Sequence, residues 1–204
     1  MKKLKITWKG VTPLIMHSCR CANPLHPLAK AIKGYTSKRT KTDEDHAAIS
    51  DYEWLAGAYY TNDDITSPYA PITGQHELYV PAENIEATII NGGKAYKKGT
   101  DLKKFVILSE PFVPLKVLGN PSLETMMKDF KYRDVRQMAV KNQRVTRTRP
   151  RFDSWELTFV LQYDETKIDI ETIVQAVEYA GKYVGLCDSR PKYGKFAAII
   201  DEIE

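Results

Sequence analysis

The sequence predicts an α+β fold: a ferredoxin-like (RRM-type) β-α-β-β-α-β core carrying two long insertions. Three observations predict it. Apolar–polar alternation marks two strands, KLKITW near the start and WELTFVLQY at 155–163. Apolar residues at helical spacing mark helices after residue 81 and after residue 169. Two polar excursions, about 20–71 and 118–153, separate these elements, so that 1–204 reads as a single domain with insertions.

Taken in order, Leu4, Ile6 and Trp8 alternate with Lys3, Lys5, Thr7 and Lys9, giving a strand with one wet face that resumes after Gly10 and runs to Met16. The first excursion holds prolines at 24 and 27, the basic residues Lys30, Lys33, Lys38, Arg39 and Lys41, and an acidic helical pattern, DEDHAAISDYEWLAGAYY. It reads as an insertion too short and polar to own much core. ELYVPAENIEATIINGG then gives a short strand, a proline at a helix start, Ile85, Ile89 and Ile90 on one stripe, and a Gly92-Gly93 stop. KKFVILSEPFVPLKV offers β-rich runs that Pro111 and Pro114 place at a sheet edge or in a kinked hairpin. After the second excursion come the 155–163 strand and a helix capped by Asp169. Ile170, Ile173, Val174, Val177, Ala180 and Val184 line that helix, Gly185 ends it, and FAAIIDEI forms the last strand.

Composition narrows the function classes. No apolar run is long enough to cross a bilayer, and MKKLKITWKG turns polar before a signal-peptide core develops, so a cytoplasmic protein is expected. Three cysteines make no disulfide framework. The GxxxxGK[ST] pattern of a phosphate-binding loop is absent, which leaves nucleotide hydrolysis without support.

The net charge of +4 is unevenly placed. KYRDVRQMAVKNQRVTRTRPR holds Lys131, Arg133, Arg136, Lys141, Arg144, Arg147, Arg149 and Arg151 against one acid, Asp134. In an extended conformation Arg147, Arg149 and Arg151 share a face, about 6.6 Å apart, with Thr146 and Thr148 on the other. That spacing approaches the phosphate repeat of an extended single strand. A solvated loop is also often basic, but arginine binds phosphate in a bidentate manner and stacks on bases, whereas solubility alone is served as well by lysine. Lys30–Lys41 and Lys94–Lys104 are two further basic groups.

The segment GLCDSRPKYGKF, between the last helix and last strand, combines Gly185, Ser189 and Gly194 with Arg190, Lys192 and Lys195. It reads either as a basic loop whose glycines let backbone N–H groups approach phosphates, or as plain helix-to-strand punctuation. In its place and in Gly185, Ser189, Arg190, Gly194 and Phe196 it resembles the C-terminal glycine-rich loop of the RAMP superfamily, particularly the backbone subunits of CRISPR effector complexes. LYVPAENIEATIINGGK is similar to that family's strand-Pro-helix segment, although Ala82-Glu83-Asn84-Ile85 and Gly92-Gly93-Lys94 stand where the family has Ser-Ser-Leu and a basic helix end.

The resemblance implies a non-catalytic protein that binds single-stranded RNA through its backbone, with single-stranded DNA left open. It also implies a prokaryotic or virus-encoded protein, assembly as a homo-oligomer along a guide RNA or with CRISPR-type subunits in antiviral defence, and no cofactor. Its alternatives are a RAMP-type endoribonuclease and a viral mimic of a backbone subunit that blocks assembly by protein contacts.

The residues offer other chemistry. His17 is the one weak catalytic candidate, as a general base for RNA cleavage. HSCRC, with Cys19 and Cys21 near His17, departs from zinc spacing, so no metal is expected. Asp43, Glu44, Asp45 and Asp51 read as acids opening a helix. Tyr52, Trp54, Tyr59 and Tyr60 either pack the first excursion or stack bases, packing being favoured.

Overall fold

The alternation at the start of the chain becomes an interior strand of a sheet. In the computed structural model, which describes residues 1–140 and 143–203, β1 (Lys2–Gly10) buries Leu4, Ile6 and Trp8 completely while Lys3, Lys5 and Lys9 face solvent. Next come β2 (Leu14–Ile15), α1 (Pro27–Thr36), α2 (Asp43–Gly57), β3 (Tyr79–Pro81), α3 (Ala82–Gly93), α4 (Gly99–Phe105), β4 (Val106–Leu108) and β5 (Phe112–Val117). They are followed by α5 (Leu123–Lys128), β6 (Arg133–Val140), β7 (Gln143–Phe152), β8 (Trp155–Tyr163), α6 (Ile170–Tyr179) and β9 (Phe196–Ile203). The fold is mixed α+β with antiparallel sheets and six α-helices among the described residues. None of the described helices is long and apolar enough to cross a membrane.

The chain divides into two compact units. The first comprises 1–14, 79–120 and 152–204, the second 15–78 and 121–151. In the first, the sheet order is β3-β5-β8-β1-β9, and β4 also pairs β8. β1 lies antiparallel to both neighbours, with Leu4 opposite Leu161 on β8 and Ile6 opposite Ile200 on β9. Trp8 stacks on Phe196, ring centroids 3.8 Å apart, and meets Phe159 edge-on at 5.1 Å. β4 and β5 lie along one edge of β8, Leu108 opposite Leu161 and Leu115 opposite Leu157; between them Pro111 interrupts the ladder and Phe112–Pro114 pair with β3 instead.

Gly92 and Gly93 stand where the sequence placed the helix stop, and α3 does end at Gly93. A Cβ on Gly92 would stand 2.1 Å from the Ala176 carbonyl of α6. Gly92 lets α3 meet the α6 backbone, while Gly93 makes room for the Leu102 side chain of α4. α6 ends in a π-type turn at Ala180–Val184, where Gly185 reverses the chain at φ +78°.

The second unit gathers the two polar excursions, and the structure corrects the expectation that the first owns little core. Its polar look hid a core: Leu28, Tyr52, Trp54, Leu55, Leu123, Met126 and Met127 are buried. Trp54 Nε1–H donates to the Tyr132 carbonyl at 2.8 Å. Thr42 and Asp45 form a reciprocal capping box at the start of α2. Past its end, buried Arg20 donates to the carbonyls of Ala58 and Tyr60 and to Asp63, and its guanidinium lies 4.0 Å over the Tyr60 ring. A three-stranded sheet, β2-β7-β6, completes the description, with β6 and β7 a hairpin in which Arg136 faces Arg147.

Candidate nucleic-acid interface

The basic stretch 131–151 folds as this hairpin, and the alternation expected of its second strand is present. Along β7, Arg147, Arg149 and Arg151 are half-buried on one face, while Thr148, Pro150 and Phe152 are buried on the other. What the sequence could not supply is the acids waiting for them. Glu53 of α2, itself buried, accepts from Arg147 Nη1 at 2.5 Å and from the Thr148 backbone N–H at 2.8 Å. Arg133 is tied down more fully: its guanidinium pairs with Asp51 at 2.6 Å, reaches the Met127 carbonyl and Ser50, and is 6% exposed. Arg136 pairs with buried Asp134 on its own strand. Arg144 is exposed, and Lys131 is exposed and paired with Asp129. Lys141 lies outside the described residues.

Beside this row an open pocket of about 350 Å³ is lined by His17, Cys21, Glu53, Met138, Arg147, Thr148 and Arg149. His17 is exposed at the rim, its carbonyl accepting from the Tyr59 hydroxyl. Burial pushes the Cys21 thiol up to about 11, helped by the negative charge of Glu53 and opposed by Arg147, Arg149 and Arg20. Asp51 proves to be no capping acid; it sits midway along α2, binding Arg133 and accepting from the Tyr69 hydroxyl. Glu53 and Ser50 went unnoticed in the sequence. Their only signal was position on the same helix as Asp51, since their partners lie far along the chain.

In the first unit, the 185–196 loop answers the choice between phosphate cradle and connector in two parts. Its neck is built by glycines for chain packing: Gly194 has φ +71°, and a Cβ there would stand 2.1 Å from the Leu186 carbonyl. The backbone N–H groups of Gly185 and Gly194 donate to the carbonyls of Ala180 and Pro13, so neither is held out for a phosphate. The tip is different. Cys187 and Ser189 take left-handed backbone conformations, and Arg190 and Lys192 are exposed beyond them. Lys192 stands 5.6 Å from the centre of the Tyr193 ring, and half-buried Lys195 donates its backbone N–H to Thr12 Oγ1. Burial holds the Cys187 thiol up at about 12.

The aromatic residues of the first excursion pack: Tyr52, Trp54 and Tyr60 are buried and Tyr59 is half-buried. No protein-family model matches the chain, and no curated protein shows significant sequence similarity to it.

Proposed function

We propose that the protein binds the backbone of single-stranded nucleic acid, RNA foremost, as a non-catalytic RAMP-like protein whose first unit is a ferredoxin-like fold. Support for the fold is the antiparallel order β9-β1-β8-β5 with α3 and α6 as its two crossovers. The observation that carries the binding reading is the row Arg147, Arg149 and Arg151 on one face of β7, repeating about every 6.6 Å beside an open pocket. Guanidiniums at that repeat suit successive phosphates, and the exposed tip residues Arg190 and Lys192 add a second anion-binding element. Arg133 has no part in the interface, because its hydrogen bonds are used within its own unit. Assembly along a guide RNA, or mimicry of a CRISPR backbone subunit, is the biological setting that the RAMP likeness implies.

The test is fluorescence anisotropy of a labelled single-stranded RNA across a salt series. Replacing Arg149 and Arg151 with alanine is expected to weaken binding and to flatten the log K against log salt slope by roughly 1.4, at about 0.7 per phosphate contact. An unchanged slope and affinity removes this row from the site.

A second reading has one observation in its favour: His17 shares the pocket with Arg147 and Arg149, an imidazole beside two cations that could stabilise a phosphorane-like charge. RNA cleavage that disappears in His17→Ala would replace the non-catalytic reading.

A further inference from the structure

The two edges of the first unit's sheet are unlike. One ends in β3, three residues long and closing on Pro81, a short edge of the kind that resists further pairing. The other ends in β9, eight residues without proline, whose register against β1 runs unbroken from Phe196 opposite Gly10 to Ile203 opposite Lys3. Exposed Ile199 and Ile203 lie on it.

The backbone direction of β9 can be read from its first hydrogen bonds. Lys195 accepts from Val11 N–H at 2.8 Å and donates its own N–H to Thr12 Oγ1, so its backbone groups point toward β1. Alternation along the regular ladder turns Ala197, Ile199, Asp201 and Ile203 the same way. Phe196, Ala198, Ile200 and Glu202 therefore present their N–H and C=O groups to the outer edge. Flanking that edge are two adjoining open grooves of about 450 and 570 Å³, in which Ala198 and Glu178 line both and Ile170, Val174 and Ile200 line the second.

We propose that this edge pairs with the β9 edge of a second copy of the chain, antiparallel about a twofold axis, joining two sheets into one. Only registers that set outward-facing residues opposite outward-facing residues close the ladder. Among these, the one centred on Ala198 places Lys195 opposite Asp201 of the second copy, and symmetry makes the pair twice. It also sets Ala197 against Ile199 on the same face. Registers centred on Ile199 or Ile200 leave Asp201 opposite Ala197 or Ile199, so charge selects the first. The apolar flank of α6 at Ile170 and Val174 widens the contact. This self-association is independent of nucleic-acid binding.

The test is the molar mass of the nuclease-treated full chain by sedimentation equilibrium over a concentration series. The mass is expected to rise from 23.3 kDa toward twice that value. Asp201→Lys sets lysine opposite lysine and is expected to raise the dimer dissociation constant about tenfold. The exchange Lys195→Asp with Asp201→Lys is expected to restore it. Ala198→Pro, which removes an outward N–H and spares the β1 ladder, is expected to leave a folded monomer. A monomer at every concentration overturns the proposal, and so does a dimer that Asp201→Lys leaves unaltered. Should Ala198→Pro fail to fold by circular dichroism, the charge pair alone decides.

Discussion

The β7 row and the 185–196 loop are both basic, and they use their charge differently. On β7 and the neighbouring strand, arginines meet carboxylates of their own unit: Arg147 with Glu53, Arg133 with Asp51, Arg136 with Asp134. At the loop tip, Arg190 and Lys192 are exposed to solvent. The difference teaches that a count of basic residues overstates the charge a partner can reach, and that a guanidinium on a strand can be as structural as a leucine.

The sharpest way to break this comparison is to remove one arginine from each region. Arg133→Ala takes one donor each from Asp51, Ser50 and the Met127 carbonyl and removes the countercharge of Asp51, and is expected to cost about 3 kcal/mol, seen as a fall in Tm of roughly 6–12 °C. Arg190→Ala, at an exposed position, is expected to change stability by less than about 0.5 kcal/mol. Equal shifts in Tm would erase the distinction.

Within the loop itself the neck should behave unlike the tip. Gly194→Ala forces a Cβ against the Leu186 carbonyl at positive φ and is expected to destabilise by about 2 kcal/mol, measured by urea unfolding. Arg190→Glu with Lys192→Glu is expected instead to lower RNA affinity more than tenfold, about 1.4 kcal/mol, with Tm nearly unmoved and with equal effect on unrelated RNA sequences. A thermal loss as large as the binding loss would make the tip structural as well.

The smallest expected effect is on pH dependence. The half-buried thiols of Cys21 and Cys187 hold their protons in the fold, at about 11 and about 12, well past the ordinary thiol value of about 8.5 in the unfolded chain. Their contribution to stability is therefore full below about pH 8.5 and is lost as pH rises through 11 to 12. Urea unfolding at rising pH should show a decline that is shallower in the variant Cys21→Ala with Cys187→Ala. A slope identical to that of the parent would refute the linkage. Maleimide labelling at pH 8 should mark exposed Cys19 first.

Much of the first unit was legible because its strands and helices keep one face apolar: β1, β8, α3 and α6 fall where periodicity put them. The β6–β7 hairpin was not. On β6 the pattern is inverted, with Asp134 buried and Val135 exposed, so no period-two apolar signal survives. The core of the second unit was hidden for another reason: its apolar residues come from two stretches, one on either side of β3 to β5, and neither alone looks sufficient. The arginine row could be read from β7, whereas Glu53 and Asp51, 94 and 82 positions away from Arg147 and Arg133, could be paired with them only in three dimensions.

The place of β1 has a consequence for how the molecule comes into being. This interior strand is flanked by β8 and β9, with Lys9 opposite Glu156 and Gly10 opposite Phe196. During synthesis Leu4, Ile6 and Trp8 therefore precede their neighbours by a long interval, since β8 begins at Trp155 and β9 at Phe196. Contacts so distant along the chain close slowly. Through that interval an apolar strand with two open edges is on offer to any other nascent chain, and the lysines that alternate with it are the built-in guard against premature pairing.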